Sequence, residues 1–450
     1  MQLEGRRVIV VGLGASGIAA AELCRRYGAA VLGTDSKQLV DLPAPVGQLG
    51  IELRLGGHQG VDWDRADLIV VSPGVPPMPA LRAAETAGIE VISELELGWR
   101  FLRSPLVCVG GTNGKSTVTT LLAGMLQVGG NRVFSGGNLG TPLCQAVDGD
   151  YSVLVAEVSS FQLERVPTLR PKVAILLNIS DDHLDRYDGF QDYADAKGNV
   201  FVNQRPGDVA VIPVGDAACE RQARRGEGRC LTFGPGGDYA VEDSVVVEQG
   251  SGERFETAGA QLRGAHNVEN AAAAIAAARV LQVESDAIRR ALLEFQPLRH
   301  RMAYVAELRG VRFYDDSKAT NVGAAVTALR GLREPRGVLI AGGRDKRGSY
   351  DSLVAAVEAK ARAVVVLGEA ADAIAAAVGQ RAPVYHARSL DEAVKLAFAA
   401  AQVGDAVLLS PACASFDMFR SYADRGEQFQ SAVRAMVAAC RADSPSVGRP

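Results

Sequence analysis

The sequence has few aromatic residues, no surplus of positive charge, no closely paired cysteines and no long apolar run. Aromatic side chains make up 6% of its 450 residues, and 48 lysines and arginines face 52 acidic residues, which leaves a formal net charge of −4. We therefore do not expect binding of nucleic acid through bulk positive charge. Charged residues at 22% and hydrophobic residues at 48% are ordinary globular values, which excludes intrinsic disorder.

The cysteines are scattered along the chain, at positions 24, 108, 144, 219, 230, 413 and 440. No two have C-x-x-C spacing and their number is odd, which predicts neither a disulfide framework nor a zinc ribbon. The opening apolar run is too short for a signal peptide, and no stretch approaches the roughly 18 apolar residues that span a bilayer. These absences predict a reduced, cytoplasmic protein without a membrane span.

Glycine is abundant, with 49 residues, and alanine-rich stretches recur. At about 150 residues per domain, the length predicts three domains. Apolar strands alternate with helical segments in three blocks, which predicts an α/β fold of parallel strands joined by crossover helices. We place the blocks at residues 1–94, 95–297 and 298–450, with hinges near 94–105 and 296–299. The first and third blocks are predicted to be Rossmann-like, and short glycine-separated runs at 235–265 predict a small antiparallel patch in the central one.

Gly12, Gly14 and Gly17 form a G-x-G-x-x-G motif between a predicted strand and a helix, and Asp35 ends the next strand. This is the complete dinucleotide fingerprint. Its glycines allow a tight turn and the close approach of a diphosphate to a helix N-terminus, where N–H groups and the helix dipole favour anions. We interpret the first block as a nucleotide or diphosphate site rather than a bare turn. Whether the ligand is NAD stays open on the motif alone.

A second glycine loop, Gly-Gly-Thr-Asn-Gly-Lys-Ser-Thr at 110–117, lies between a strand and a helix. It is one residue short of a P-loop, because Val109 holds the place of the first glycine. The groups with which a P-loop binds phosphates are nevertheless present. Main-chain N–H groups can surround phosphates, Lys115 can reach the β and γ oxygens, and Ser116 can bind Mg²⁺. Glu157 ends a later strand, where its carboxylate can hold Mg²⁺ directly or through water. The loop therefore predicts that the protein consumes ATP.

Lys197 lies within an apolar helical stripe. Phe190, Tyr193, Lys197 and Phe201 are spaced to share one helix face. A lysine inside such a stripe is partly desolvated, which lowers its pKa and raises its fraction of free amine. Snorkelling of the ammonium to solvent is the alternative, and it is the commoner fate of such lysines.

His183, Asn267 and Asn270 each allow two interpretations. His183 follows the apolar strand 173–180, and ligands of open α/β sheets bind at the carboxyl ends of strands. A solvated histidine in a turn fits the same spacing. Asn267 and Asn270 lie one helical turn apart and could face a ligand such as an adenine edge. Without other information, an N-cap and a satisfied core amide are favoured.

The third block carries polar segments that follow apolar strands, and these segments are DDSKATN (315–321), GGRDKR (342–347) and SPACASFD (410–417). Such segments can line one sheet edge. Their lysine, arginine, serine and threonine side chains would suit an anionic substrate.

Taken together, the motifs resemble the Mur ligase family of ATP-dependent amide-bond ligases over nearly the whole chain. The motifs that carry the resemblance are GTNGKST, the strand ending at Glu157, DDHLD with a downstream lysine, HNxxN, His300-Arg301, DDSKATN and SPACASFD. DSKATN and the first block, with its glycine fingerprint and Asp35, are similar to the branch that adds D-glutamate to UDP-N-acetylmuramoyl-L-alanine. The implied chemistry is phosphorylation of the alanyl carboxylate by ATP, followed by attack of the glutamate amine on the acyl phosphate.

The resemblance implies a role for each matching residue, with ATP held between the second and third blocks and two Mg²⁺ ions beside it. The expected nucleotide contacts are Gly111, Thr112, Asn113, Gly114, Lys115, Ser116, Thr117, Asn267, Asn270, Arg301 and Asp316. The expected metal-binding residues are Ser116, Glu157, His183 and a CO₂-carbamylated Lys197. Lys115, Glu157, His183 and Lys197 are the expected catalytic residues.

The resemblance likewise implies two substrate sites in what we expect to be a monomer. The UDP-sugar would lie against Ala15, Ser16, Asp35, Ser36, Lys37, Ser72, Pro73, Gly74, Asn138 and Ser159. The glutamate would lie against Lys318, Thr320, Lys346, Ser415, Phe416 and Tyr422, with Arg347 as an alternative to Lys346.

Three alternatives remain on the sequence. A folylpolyglutamate synthetase-like ligase of the same family is disfavoured by DSKATN and by the first block. A nucleotide-gated switch is disfavoured because no Asn-Lys-x-Asp signature follows the phosphate loop. A nicotinamide oxidoreductase leaves GTNGKST unexplained.

Overall fold

The structure, a computed structural model, describes residues 1–138, 140–183, 186–260, 262, 265–296, 298–345 and 349–442. The chain forms two compact units. The first comprises residues 1–179, 191–260 and 268–295, and the second comprises the described parts of 180–190, 261–267 and 296–450. The first unit contains two β-sheets and the second contains one. The predicted α/β architecture of three blocks is confirmed.

The first sheet has five parallel strands in the order β3-β2-β1-β4-β5. The strands are β1 (Arg7–Val11), β2 (Ala30–Asp35), β3 (Glu52–Leu55), β4 (Leu68–Val71) and β5 (Val91–Ser93). The helices are α1 (Ala15–Arg26), α2 (Pro79–Thr86) and α3 (Glu94–Trp99). β1 and β4 are almost continuously apolar and buried, as expected for parallel strands covered on both faces. The strand order reverses between β1 and β4, which places a topological switch point there.

The second sheet has nine strands in the order β14-β13-β12-β11-β10-β9-β6-β8-β7. The strands are β6 (Leu106–Gly110), β7 (Val133–Gly137), β8 (Val153–Glu157), β9 (Val173–Leu176), β10 (Val209–Pro213), β11 (Arg229–Gly234), β12 (Tyr239–Glu242), β13 (Val245–Glu248) and β14 (Arg254–Glu256). β12, β13 and β14 pair antiparallel and the other pairs are parallel, which confirms the predicted antiparallel patch.

The helices that accompany this sheet are α4 (Lys115–Val128), α5 (Ser160–Leu163), α6 (Phe190–Gly198), α7 (Ala217–Ala223), α8 (Ala265–Val280) and α9 (Ser285–Glu294). The side chains of residues 271–278 in α8 are all fully buried, seven of them alanines around Ile275. Side chains this small let neighbouring elements approach α8 from every side, which explains why its sequence shows no polar face.

The third sheet has the order β15-β16-β20-β17-β18-β19 and is parallel except for the pair β15–β16. The strands are β15 (Ala303–Leu308), β16 (Val311–Asp315), β17 (Gly337–Gly342), β18 (Ala361–Leu367), β19 (Val384–His386) and β20 (Ala406–Leu409). The helices are α10 (Val322–Arg330), α11 (Asp351–Lys360), α12 (Ala371–Val378), α13 (Leu390–Ala400) and α14 (Tyr422–Ala442). The antiparallel edge strand β15 and the long helix α14 are additions to the doubly wound pattern that the sequence predicts.

The seven cysteines all lie in the described part of the chain, and none of them forms a disulfide. Across the part of the chain that the structure describes, no helix combines the length and the apolar character needed to cross a membrane.

Glu94, the first residue of α3, is a fully buried carboxyl group. One of its oxygens, Oε1, accepts the main-chain N–H of Cys144 at 2.7 Å. The other, Oε2, has no hydrogen-bond partner among the described residues. Burial raises the pKa of Glu94 to about 7, because the ionised form has lost its water and gained few donors.

We expect the free energy of unfolding to fall as the pH rises from about 4.5 to about 7. In that pH window the folded state retains the Glu94 proton, whereas the unfolded chain has released it. The free energy of unfolding therefore falls by up to roughly 3 kcal/mol, and it stops falling above about pH 7. In Glu94→Gln this position cannot ionise, so the slope should flatten. Urea unfolding at four pH values measures this slope, and Glu4→Gln, at an exposed position, is the control. Parallel pH profiles for wild type and Glu94→Gln would contradict the prediction.

Candidate functional site

The first glycine loop joins β1 to α1 at the carboxyl edge of the first sheet. Gly12 has φ 83°, a conformation that favours glycine. A Cβ on Gly17 would lie 1.8 Å from the carbonyl oxygen of Gly12, so this position accepts no side chain. The Ser72 hydroxyl donates to that same carbonyl oxygen at 2.7 Å. Since β1 and β4 are neighbours, the loop and the turn after β4 form one continuous edge.

Asp35 holds this edge together. Its carboxylate accepts the main-chain N–H of Leu13 at 2.7 Å and that of Lys37 at 2.9 Å. Both oxygens are therefore bound to backbone, and the side chain is almost fully buried. The structure thus brings together at one edge the predicted residues Ala15, Ser16, Asp35, Ser36, Lys37, Ser72, Pro73 and Gly74. The Asp35 carboxylate therefore links the fingerprint loop to the turn after β2.

Glu157 is buried at the carboxyl edge of the second sheet, where the exposed residue Asn138 binds it. The Asn138 side-chain amide donates to Glu157 Oε1 at 2.7 Å, and its main-chain N–H donates to the Glu157 carbonyl at 2.8 Å. Glu157 is 2% exposed, and its Oε2 has no hydrogen-bond partner among the described residues. A buried carboxylate oxygen without a donor suits a hard divalent cation such as Mg²⁺. Nearby in the chain, Ser159 forms a capping box with Gln162 at the start of α5.

The phosphate loop wraps the N-terminus of α4. Gly111 and Gly114 have φ of 138° and 86°, which only glycine adopts readily. The first helical hydrogen bond runs from the Val118 N–H to the Gly114 carbonyl at 3.0 Å, so the N–H groups of the preceding turn point out of the helix. A Cβ on Gly114 would meet Asn270 Oδ1 at 2.4 Å, so the Asn270 amide lies directly over this turn. Lys115 Nζ donates to the Gly111 carbonyl at 2.9 Å.

Lys197 points into the protein against the same loop. It is 2% exposed, and its Nζ donates to the Gly111 carbonyl at 2.8 Å and lies 4.6 Å from the centre of the Tyr193 ring. The Tyr193 hydroxyl lies 3.2 Å from the Thr112 hydroxyl. Snorkelling of Lys197 to solvent is therefore wrong. One carbonyl oxygen, that of Gly111, accepts from both Lys115 and Lys197.

His183, Asn267 and Arg301 belong to the second unit. His183 has φ 56° and a side chain that is 30% exposed, with Nε2 3.7 Å from Asp182 Oδ2. Asp182 also accepts from the Asn321 side chain at 3.1 Å. Burial, followed by the nearby charge of Arg301, lowers the pKa of His266, the residue before Asn267. The ring is therefore neutral near pH 7.

The segment DDSKATN at the end of β16 is held by buried hydrogen bonds. Asp316 accepts from the Ser410 hydroxyl at 2.9 Å and from the Met302 N–H at 3.2 Å, and its burial raises the pKa of its carboxyl group to about 7. Asp315 lies 2.6 Å from His300 Nδ1, and both side chains are buried. Because β16 pairs with β20, this segment and SPACASFD share one sheet edge.

This shared edge contains the cationic and aromatic side chains that were predicted to hold an amino acid. Lys318 Nζ lies 3.9 Å from the centre of the Tyr422 ring, a cation–π contact. Ser415 is 2% exposed and Phe416 is 68% exposed. Thr320 lies at the same edge, between Lys318 and α10. Lys346 and Arg347 lie outside the described residues.

Arg425 is a residue of this edge that the sequence reasoning missed. It is 2% exposed, and its guanidinium donates to the Ser317 hydroxyl at 3.0 Å, to the Ser317 carbonyl at 2.9 Å and to the Cys413 carbonyl at 3.1 Å. It therefore ties DDSKATN to SPACASFD. Its sequence signal is weak, because a single arginine in a polar helix is usually a solvated one.

Comparison with known protein families finds matches along most of the chain. The N-terminal domain of MurD-like Mur ligases matches residues 6–93, the Mur ligase middle domain matches residues 109–278, and the glutamate ligase domain of Mur ligases matches residues 300–413. The three matches follow the order of the three sheets.

Curated relatives are similar over their whole length. A UDP-N-acetylmuramoylalanine–D-glutamate ligase of Geobacter metallireducens is 43% identical, over 97% of this chain and 99% of the relative. The protein of the same name from Desulfosudis oleivorans is 44% identical, over 97% of this chain and 98% of the relative.

Solved structures show the same fold at lower identity. The UDP-N-acetylmuramate-alanine ligase MurC of Thermotoga maritima has a TM-score of 0.61 at 20% identity, over 96% of this chain and 100% of that one. The MurF ligase of Thermotoga maritima in complex with ADP has a TM-score of 0.61 at 18% identity, over 96% of both chains.

Proposed function

Because the chain belongs to the Mur ligase family, we propose that it joins D-glutamate to UDP-N-acetylmuramoyl-L-alanine, with conversion of ATP to ADP and phosphate, in peptidoglycan precursor synthesis. The observation that carries the proposal is the full-length similarity to relatives named UDP-N-acetylmuramoylalanine–D-glutamate ligase, at 43% and 44% identity over 97% of this chain. The alignments also cover 99% and 98% of those relatives, so the similarity extends over nearly their whole length.

Each of the three blocks would contribute to a different part of substrate binding. Residues 1–94 would bind the UDP-sugar, with its diphosphate at the N-terminus of α1, where N–H groups and the helix dipole favour anions. Residues 95–297 would bind the ATP phosphates in the loop at the start of α4. Residues 298–450 would supply Arg301 and Asp316 for the nucleotide. For the two carboxylates of glutamate they would supply Lys318, Thr320, Ser415 and Tyr422, with Lys346 or Arg347.

Mg²⁺ fits the residues of the central block. Ser116 and Glu157 would hold one ion, and His183 and Lys197, the lysine carrying a carbamate, would hold a second. The unpartnered buried Oε2 of Glu157 supports the first assignment. Among the described residues no three histidine, cysteine or acidic side chains converge as a ready-made metal cluster. Mg²⁺ usually keeps several waters and takes further ligands from nucleotide phosphates. When bound, it would neutralise charge on the phosphates.

The protein groups then explain how two anions are brought to react. The alanyl carboxylate attacks the γ-phosphorus of ATP, forming an acyl phosphate and releasing ADP. Lys115 places a positive charge at the phosphate loop and so offsets the repulsion between carboxylate and triphosphate. The amine of D-glutamate attacks the acyl carbon, and phosphate leaves as the amide forms. Lys318 and Ser415 would orient that amine by holding the carboxylates of glutamate.

We also propose that the protein works in the cytoplasm as a monomer. The seven cysteines, none of which forms a disulfide, support a reducing compartment, since disulfides form and persist in oxidising ones.

Phosphate release from ATP tests the proposal. We expect release only when UDP-N-acetylmuramoyl-L-alanine and D-glutamate are both present, together with formation of the ligated UDP-dipeptide. L-Glutamate in place of D-glutamate, or a folate acceptor in place of the UDP-sugar, should give no product. Turnover of the same size with either substrate omitted would refute the ligase assignment.

A further inference from the structure

Asn178 lies two residues beyond β9, directly beside the phosphate loop. β9 pairs with β6 up to the match of Gly110 with Leu176, so the chain segments that follow the two strands run next to each other. Asn178 Oδ1 accepts the main-chain N–H of Asn113 at 2.8 Å and that of Thr112 at 3.1 Å. Its Nδ2 donates back to the Asn113 carbonyl at 3.2 Å. The Asn178 main-chain carbonyl accepts the Thr112 N–H as well, at 2.9 Å.

These bonds decide which part of the loop presents donors to an anion. Two successive main-chain N–H groups form a concave site that anions occupy readily. At Thr112 and Asn113 that pair points at the Asn178 oxygen. The N–H groups of the next turn, residues 114–117, precede the first helical bond of α4 and lie at the positive end of its dipole. The amide oxygen thus separates the half of the loop that is bonded to Asn178 from the half that begins α4.

Asn178 also fixes the groups that hold Lys115. Lys115 Nζ donates to the carbonyls of Gly111, at 2.9 Å, and of Thr112, at 2.8 Å. Thr112 is the residue whose N–H both Asn178 oxygens accept. Displacement of the Asn178 amide would therefore move the Lys115 ammonium as well as the loop backbone.

We propose that Asn178 is a positioning residue for ATP, which holds the first half of the phosphate loop so that the triphosphate is received by residues 114–117 and by Lys115. This role rests on the proposed function and adds a residue to its nucleotide site. Asn178 acts through Thr112 and Asn113 and makes no contact with the reacting atoms. Its effect should therefore depend on how many phosphates the ligand carries.

Affinities of AMP, ADP and ATP, measured by calorimetry on the full chain without the other substrates, test the role. In Asn178→Ala, we expect ATP affinity to fall about tenfold, which corresponds to one or two net hydrogen bonds, and AMP affinity to fall less than threefold. The KM for ATP should rise, while the KM values for the UDP-sugar and D-glutamate stay within about twofold. Asn203→Ala is the matched control, since Asn203 also donates to main-chain carbonyls of this unit, those of Pro167 and Leu169.

Asn178→Asp separates positioning from a merely structural role. The carboxylate can still accept both N–H groups, but it cannot donate to Asn113 and it brings negative charge to the loop. A merely structural role predicts lowered thermal stability in Asn178→Ala, rescue of that stability by Asn178→Asp, and equal losses of affinity for AMP, ADP and ATP. Positioning for the triphosphate predicts near-normal thermal stability in both variants and a loss of affinity that grows from AMP to ATP.

Two results would overturn the proposal: ATP affinity of Asn178→Ala within twofold of wild type, or equal losses for AMP and ATP. The proposed function fails separately, through absence of ligation by the wild-type protein. The nucleotide affinities are measured without ligation, so the two failures are distinguishable.

Discussion

Lys115→Ala is expected to lower kcat for ligation by at least about three orders of magnitude, or roughly 4 kcal/mol of transition-state stabilisation. Lys115 is the first residue of α4, and its ammonium is held at the phosphate loop by the carbonyls of Gly111 and Thr112. Without it, the alanyl carboxylate must approach the γ-phosphate against a larger like-charge repulsion. Phosphate release at saturating concentrations of all three substrates measures the loss.

Two further variants make the Lys115 result specific. Lys395→Ala removes an exposed lysine from α13 and should leave kcat unchanged. Lys115→Arg keeps the charge but replaces a compact ammonium with a planar guanidinium, so we expect it to restore little activity. If Lys115→Ala retained more than a tenth of the wild-type kcat, the phosphate loop would not be the site of the chemistry.

The sequence predicts the parallel core well because buried parallel strands leave a strong pattern. β1, β6 and β17 are uninterrupted apolar runs followed at once by glycine motifs, and the structure confirms each. Helix α10 begins and ends at residues that commonly bound helices, since Asn321 caps its first turn through the Ala324 N–H and Gly331 follows its last residue.

The elements that the sequence does not reveal are those stabilised by neighbours rather than by their own pattern. β15 is a half-exposed edge strand that pairs antiparallel with β16, and its sequence AYVAEL lacks the alternation of apolar and polar residues that marks such a strand. α14 buries Phe429, Val433 and Val437 against the third sheet, but charged and polar residues dominate its first turns. In both cases the pairing partner supplies the stabilisation, and the partner is known only once the chain has folded.

In the candidate site, too, the sequence predicts some features and leaves others to the structure. Residue types and motif spacing single out Lys115, Glu157 and Lys197. They do not reveal that Asn138 binds one oxygen of Glu157, or that Lys115 and Lys197 share the Gly111 carbonyl. Asn138 and Glu157, and likewise Lys197 and Gly111, are distant in the chain and become neighbours only once the sheet has formed. Hydrogen-bond partners of this kind cannot be predicted without the sheet order.

Lys197→Ala is expected to lose nearly all ligation activity, and short carboxylates such as formate or acetate should restore part of it. The wild-type side chain is buried against the Gly111 carbonyl, so truncation leaves room for a small anion beside the phosphate loop. If Lys197 works as a carbamate, the missing group is a carboxylate, and a free carboxylate can stand in for it. Phosphate release by Lys197→Ala, measured as a function of added acetate, tests this restoration.

The controls for Lys197 depend on what a carbamate requires. In carbamate formation the neutral amine nitrogen bonds to the carbon of CO₂ and releases one proton to solvent. One N–H remains, so the hydrogen bond to the Gly111 carbonyl can persist while the new carboxylate extends from Nζ. Arginine cannot form this group, so Lys197→Arg should be inactive although it retains a positive charge. Lys172 is an exposed lysine of the same unit, so Lys172→Ala should behave as wild type.

A carbamate signal in ¹³CO₂-labelled protein should disappear in Lys197→Ala. Full activity of Lys197→Ala without carboxylate, or of Lys197→Arg, would show that the lysine acts as a cation or only as packing.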